Sequence, residues 1–301
     1  MRLRPESLAV TKLDLFFHDV PLAPATGFVY KYGQSIALVS NWHVFSGRHP
    51  LTGSPGDPRG YCPNRVEFSL SLSDTEKGSV LFRSQDAPLV AADGQSLWWQ
   101  HQGYPDQDGK PRIVDIGVLE LNERISDFEV IREQISTLNA HVIVNTDAAG
   151  TAISFEYGYT RVAAEVFILG YPRGLTKQGV LPVWKRGSIA SEPLFAVMDN
   201  APAMFVDAVT RDGMSGSPVL YFGNEITDVL GRSRGLSRQG GTWLVGVYAG
   251  REGVTKDENE MVLGRVWHRR LLDEIFYQRV PGGLPAVVPD PGSFREATRD
   301  L

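Results

Sequence analysis

Apolar residues in this chain come in short runs broken by glycine, proline, asparagine and aspartate. Runs of that length, bounded by turn residues, predict strands rather than helices. In the first half they fall at 13–17, 27–32, 35–40, 65–72, 80–83, 97–101 and 113–121. Asp106-Gln107-Asp108-Gly109-Lys110 predicts a hairpin-type turn feeding the last of these. A link at 125–144, holding a short helix at 127–138, leads into a second β-rich half. Its strands are expected at 162–170, 183–189, 203–209, 217–222 and 242–248. Residues 266–278 space their apolar positions as a helix does. The pattern is that of an all-β barrel or sandwich, without internal repeats. The Pro/Gly-rich tail from Pro281 onward reads as extended or disordered.

Composition narrows the setting. The 301 residues are 42% hydrophobic and 22% charged, enough for one large core or two small ones. A net charge of −5 argues against a dedicated nucleic-acid binder. The single cysteine, Cys62, sits in a turn-like Gly-Tyr-Cys-Pro stretch without zinc-type neighbours, so it reads as a passive thiol. It excludes an intrachain disulfide. Met1-Arg2-Leu3-Arg4-Pro5-Glu6 does not open into the apolar run of a signal peptide, and no stretch approaches the roughly 20 apolar residues of a membrane span. These features lead to the expectation of a cytoplasmic protein without membrane contact.

Candidate chemistry concentrates in Gly213-Met214-Ser215-Gly216-Ser217-Pro218-Val219. A serine hydroxyl becomes a nucleophile only beside a base and an anion-binding pocket. Gly213 permits the positive-φ turn in which the Gly213 and Ser215 amides point into one small space, as an oxyanion hole requires. A candidate base, His43, follows the apolar run at 35–40. Asp115 lies in the apolar segment Arg112-Ile113-Val114-Asp115-Ile116-Gly117-Val118-Leu119. A carboxylate there is costly unless paired, and an imidazole Nδ1–H would pair it. Each residue alone has an ordinary structural reading: a turn serine, a capped histidine, an aspartate starting a strand. Their order, His43 then Asp115 then Ser215, is what sets them apart.

In these segments the chain resembles the trypsin-like serine peptidases of the chymotrypsin fold. That family's nucleophile motif is Gly-x-Ser-Gly-Gly/Ser-Pro, and its aspartate stands in Asp-Ile-Ala-Leu-Leu, with Gly117 here in place of alanine. Phe167-Ile168-Leu169-Gly170-Tyr171-Pro172-Arg173-Gly174-Leu175 is similar to a segment of HtrA-like and glutamyl-endopeptidase-like bacterial relatives. The resemblance spans about residues 10–278 and is specific at four segments. It implies two six-stranded antiparallel β-barrels and a C-terminal helix. Residues 1–140 would carry His43 and Asp115, residues 141–280 would carry Ser215 and the helix, and 281–301 would be tail. It implies a serine endopeptidase without metal or organic cofactor, acting on a protein or peptide substrate, with a regulatory partner protein in view. The rival from another class is a peptidase fold that binds an extended peptide without cutting it.

The resemblance also assigns a substrate pocket to Val209, Thr210, Tyr248, Ala249, Gly250 and Arg251. Valine at 209 supplies no charge for Lys or Arg, whereas Thr210 matches a threonine of glutamyl endopeptidases. Cleavage is therefore expected after apolar or uncharged residues first, acidic ones second, and Lys or Arg last. Two further segments are open. Residues 49–63 form either a lid or a surface insertion at the rim. The arginines of 231–241 either meet phosphates or, in the plainer reading, cap a solvated hairpin.

Overall fold

The short runs fold as strands, and every strand pair among the described residues is antiparallel. The structure, a computed structural model, describes residues 3–74, 77–141, 161–175, 181–193, 197, 200–227, 233–252 and 263–283. The first half holds β1 (Val10–Phe17), β2 (Val20–Pro21), β3 (Ala25–Tyr32), β4 (Ser35–Ser40), β5 (Arg65–Asp74), β6 (Ser79–Pro88) and β7 (Trp99–Gln100). After it come the small hairpin β8 (Tyr104–Pro105) and β9 (Pro111–Arg112), then β10 (Gly117–Glu120). All six residues of β4 are buried, which is why this run reads as continuously apolar.

The second half is a closed barrel of six strands: β11 (Glu165–Gly170), β12 (Val183–Ile189), β13 (Ala203–Asp207), β14 (Pro218–Thr227), β15 (Ser233–Glu252) and β16 (Leu263–His268). A terminal helix and β17 (Val280–Pro281) follow, and β17 returns to pair with β7 of the first half.

Three expectations need correction. The first half is not a closed six-stranded barrel among the described residues. It is an open nine-stranded sheet running β17-β7-β10-β4-β3-β1-β5-β6, with β2 beside β1. Between β6 and β7 the chain leaves the sheet: Leu89 and Trp98 turn into the core, and Gly94 N–H closes a turn on the Ala91 carbonyl. The run at 97–101 therefore shrinks to two residues of strand. Residues 266–278 are not one helix. Val266 and Trp267 pair with β13 and β15, and only α3 (Arg270–Gln278) is helical. A short apolar run fits either period, and barrel closure decides it. The helix expected at 127–138 is a single turn, α2 (Phe128–Ile131), with a 3-10 turn at Leu138–Ala140.

One core cluster spans both halves, joining Phe28, Tyr30, Val39 and Ile116 to Leu169, Leu220, Trp267 and Phe276. Phe276 of α3 stacks on Tyr32 with ring centroids 4.9 Å apart. Truncating such buried aromatics costs about 3–5 kcal/mol each, so the halves are held firmly at the line where a cleft opens. The turn at Asp106–Lys110 forms as expected, with Asp106 Oδ1 accepting from the amides of Asp108 and Lys110. No helix among the described residues is long and apolar enough to cross a membrane.

Candidate active site

His43 is positioned by its neighbours' aromatic rings. β4 runs into a one-turn helix, α1 (Trp42–Ser46), which Gly47 ends in the left-handed conformation. Trp42 and Phe45 are buried on Trp98, and Trp42 Nε1–H donates to Gln100 Oε1 at 2.6 Å. With those side chains pinned inward, His43 faces the cleft between the halves.

Asp115 lies just before β10, between the fully buried Val114 and Ile116. Asp115 is 3% exposed, and both carboxylate oxygens go to one residue. Oδ1 accepts the His43 backbone N–H at 2.8 Å, and Oδ2 lies 2.7 Å from His43 Nδ1. A carboxylate only accepts, so Nδ1 carries the proton and Nε2 is left with its lone pair. Asn41 Nδ2 donates to the Asp115 carbonyl at 2.7 Å and holds the backbone beneath the pair. Burial pulls the imidazole pKa down. The charge and hydrogen bond of Asp115 outweigh it and leave His43 above its ordinary value.

Ser215 sits in the loop between β13 and β14. Gly213 (φ +90°) and Gly216 (φ +85°) both need the left-handed region and both need the missing Cβ. A Cβ on Gly213 would stand 2.5 Å from the Tyr171 carbonyl oxygen, and one on Gly216 would stand 2.2 Å from the Thr26 carbonyl oxygen. Thr26, on β3 of the other half, ties this loop down. Its amide donates to the Ser215 carbonyl at 2.9 Å, and its Oγ1 donates to the Gly213 carbonyl at 2.7 Å. The same Oγ1 accepts the Tyr171 amide at 3.0 Å, and Ser40 Oγ donates to the Thr26 carbonyl at 2.7 Å. With these carbonyls directed away, the Gly213 and Ser215 amides donate to no acceptor among the described residues.

His43, Asp115, Gly213 and Ser215 line one cleft of about 710 Å³. Among the described residues no hydrogen bond joins Ser215 Oγ to His43, and catalytic hydrogen bonds are often loose before substrate binds. Of the expected pocket residues, Ala249 and Arg251 line the cleft; Gly250 does not. Thr210 and Tyr248 are buried, do not line the cleft, and bond to each other, Oγ1 to Oη at 2.5 Å. Val209 departs from expectation: it is 64% exposed and lines a separate depression with Glu165, Arg186 and Asp207. Arg251 faces Asp212 at 3.4 Å. Of the arginine-rich stretch 231–241, residues 231 and 232 lie outside the described residues and 233–241 belong to β15.

Sequence reasoning missed Thr26, Ser40, Asn41 and Gln100, which position the candidate residues without themselves reacting. The available signal was weak: polar side chains within or next to strands that are otherwise buried. Among the described residues no group of three or more His, Cys, Asp or Glu is placed to hold a metal ion.

Comparison with known proteins adds the family. Among solved structures, a serine endoprotease from Yersinia pestis is similar at 12% identity and a TM-score of 0.44. The likeness covers 90% of this chain and 62% of that one, so the chain spans less than two thirds of the Yersinia enzyme. Deg5 is similar at 15% identity and a TM-score of 0.43, over 92% of this chain and 91% of Deg5. No curated protein matches the chain. A sequence profile described as the trypsin-like peptidase domain matches residues 25–226, about two thirds of the chain and the whole span from His43 to Ser215. On that match, the chain belongs to the trypsin-like peptidase family.

Proposed function

We propose that the protein is a serine endopeptidase in which Ser215, His43 and Asp115 act as nucleophile, base and orienting acid. The observation that carries this reading is the 2.7 Å contact of Asp115 Oδ2 with His43 Nδ1, made on the same cleft that Ser215 lines. Ser215 Oγ attacks the carbonyl carbon of the scissile bond while His43 Nε2 takes the hydroxyl proton. The Gly213 and Ser215 amides receive the negative oxygen of the tetrahedral intermediate. The C–N bond then breaks, and His43 returns the proton to the leaving amine. Water, activated by the same imidazole, releases the acyl group and restores Ser215.

Selection of uncharged or acidic residues over Lys and Arg is supported by the cleft's cations. Arg251 and Arg265 line it, and the carboxylate of Asp212 already faces Arg251. A cleavage profile on a peptide library, run with the parent and Ser215→Ala, tests both parts. Cleavage that disappears with Ser215→Ala and labelling of Ser215 by a fluorophosphonate are the expected results. Peptide binding without cleavage or labelling would instead favour the rival, a peptidase fold that only binds. A profile dominated by Lys or Arg would sink the pocket reading alone.

A further inference from the structure

β7 is only two residues long, yet it links the C-terminal segment to both His43 and Asp115. The Gln100 backbone pairs with Gly117 of β10 on one side and with Val280 of β17 on the other. Gly117 stands two residues after Asp115. The Gln100 side chain is buried, and its Oε1 accepts Trp42 Nε1–H at 2.6 Å, on the residue before His43. The same oxygen accepts the Gly283 N–H at 2.9 Å. One carboxamide oxygen therefore joins the C-terminal segment to the turn that carries His43.

Residues 280–283 are fitted to this place. Gly282 N–H donates to the Trp98 carbonyl at 2.8 Å, and a Cβ on Gly282 would stand 2.5 Å from Trp98 Cε2. Only glycine lets the backbone lie so close against that ring. Trp98 in turn packs on Trp42 and Phe45, the two rings that turn His43 to the cleft. Ahead of the segment, α3 is fastened along residues 99–102. His101 Nδ1 accepts the Gly103 N–H, so its Nε2 donates to Glu274 Oε2 at 2.8 Å. Gln102 N–H donates to Gln278 Oε1 at 3.2 Å, and the Arg279 guanidinium lies over the Trp99 ring at 4.7 Å. Because α3 follows β16 directly, the segment is an arm of the barrel that carries Ser215, closed over the half that carries His43 and Asp115.

We propose that Gln100 is a positioning residue for His43 and that residues 280–283 hold it in place, so that the base is aligned only while the C-terminal segment is docked on β7. Trp42, Gln100 and Gly283 do not line the cleft, and their effect runs through the Trp42 side chain to its neighbour. His43 stands on a single helical turn whose N-cap, Asn41, makes no side-chain cap bond. A turn that short does not fix its own orientation, and the Trp42 bond and the rings around it do so instead. Misplacing a reacting group by about 1 Å costs about a hundredfold in rate, so a small rotation of this turn is felt in catalysis. Lifting residues 280–283 off β7 therefore lowers activity without anything entering the cleft. The proposal rests on the peptidase reading above.

The test uses the full chain with three substitutions. Gly283→Pro deletes the N–H at the end of the segment and cannot adopt the φ of +153° found there. Gln100→Met keeps the length and deletes the acceptor, and Trp42→Phe keeps an aromatic ring and deletes the donor. Each should lower kcat about tenfold or more with KM within about threefold, because the cleft is untouched and the loss falls on proton transfer. The double variant Gln100→Met with Trp42→Phe should be no worse than Gln100→Met alone. The His43 Nδ1–H proton, read by NMR without substrate, should exchange with water about tenfold faster in Gly283→Pro. A lowered melting temperature with kcat and this exchange rate unchanged overturns the proposal, and so do additive losses in the double variant. If Gln100→Met does not fold, Gly283→Pro, at a partly buried position, decides alone. A parent without Ser215-dependent cleavage overturns the peptidase reading, and the exchange rate of the His43 proton then decides the positioning role by itself.

Discussion

Thr26 Oγ1 donates to the Gly213 carbonyl at 2.7 Å, a bond that reaches from one half of the molecule to the nucleophile loop of the other. The same oxygen accepts the Tyr171 amide at 3.0 Å, so one hydroxyl fixes both walls around Gly213. The bond holds the Gly213–Met214 peptide in place beside the Gly213 and Ser215 amides, which donate to no acceptor among the described residues. Thr26→Val keeps the shape and deletes the hydroxyl, stranding a buried donor and a buried acceptor. In a working peptidase kcat should fall about tenfold or more with KM within about threefold, because oxyanion contacts act in the transition state. Thr26→Ser should retain most activity. A Thr26→Val variant that folds with kcat unchanged would show the bond to be structural only.

The triad assignment makes a sharper demand. Ser215→Ala and His43→Ala should each lower turnover about ten-thousandfold, and the double variant should be little worse, because the residues act as one unit. Single-turnover rates of the three variants against the parent check this. Additive losses, or a single variant within tenfold of the parent, would refute the roles.

The pH dependence follows from Asp115. Burial alone would push the His43 pKa down, and the adjacent carboxylate raises it above the ordinary value near 6.5. As base, His43 must be neutral, so kcat/KM should rise with pH through a midpoint above about 6.5 and then level off. Stability runs the other way. The raised folded pKa means the charged pair stabilises fully below the unfolded value and is lost as pH climbs through the folded one. In Asp115→Asn, burial acts unopposed and the imidazole should titrate below about 6.5. NMR titration of His43 in a Ser215→Ala background reads this directly, and an unmoved midpoint on Asp115→Asn would reject the cause.

How much of this was written in the chain varies with the physics behind each feature. The strand at 35–40 and the turn at Asp106–Lys110 match in the structure because local pattern alone determines them. His43, Asp115 and Ser215 stand out as candidates because each sits in a short segment with a pattern of its own. Closure of the first half was not, because it depends on whether β6 and β7 meet across the sheet, and residues 89–98 turn away. Val266 and Trp267 fit a helical period in sequence, and only their partners on β13 and β15 make them strand. The resemblance assigns Val209 to the pocket, but a resemblance in sequence does not tell which side of a strand end faces the cleft, and Val209 faces a separate depression. Thr26 lies 187 residues from Gly213, and nothing local marks that pairing.

His268 gives a stability test independent of catalysis. It closes β16 before α3, its amide reaching the Pro202 carbonyl at 3.2 Å. Burial, with the nearby charge of Arg270, pulls its pKa down to about 4. A depressed folded pKa means the group supports the native state above its unfolded value near 6.5 and withdraws that support as pH falls toward 4. Between pH 7.5 and pH 5 the linkage amounts to about 2 kcal/mol from this one residue. His268→Gln keeps a polar side chain of similar reach but cannot take up a proton. Urea unfolding at the two pH values should therefore show the parent losing about 2 kcal/mol more than the variant on acidification. The His43–Asp115 pair changes stability in the opposite direction, but equally in both proteins, so it cancels from the comparison. Equal acid losses in parent and His268→Gln would mean that His268 is hydrated enough to titrate normally in the folded state.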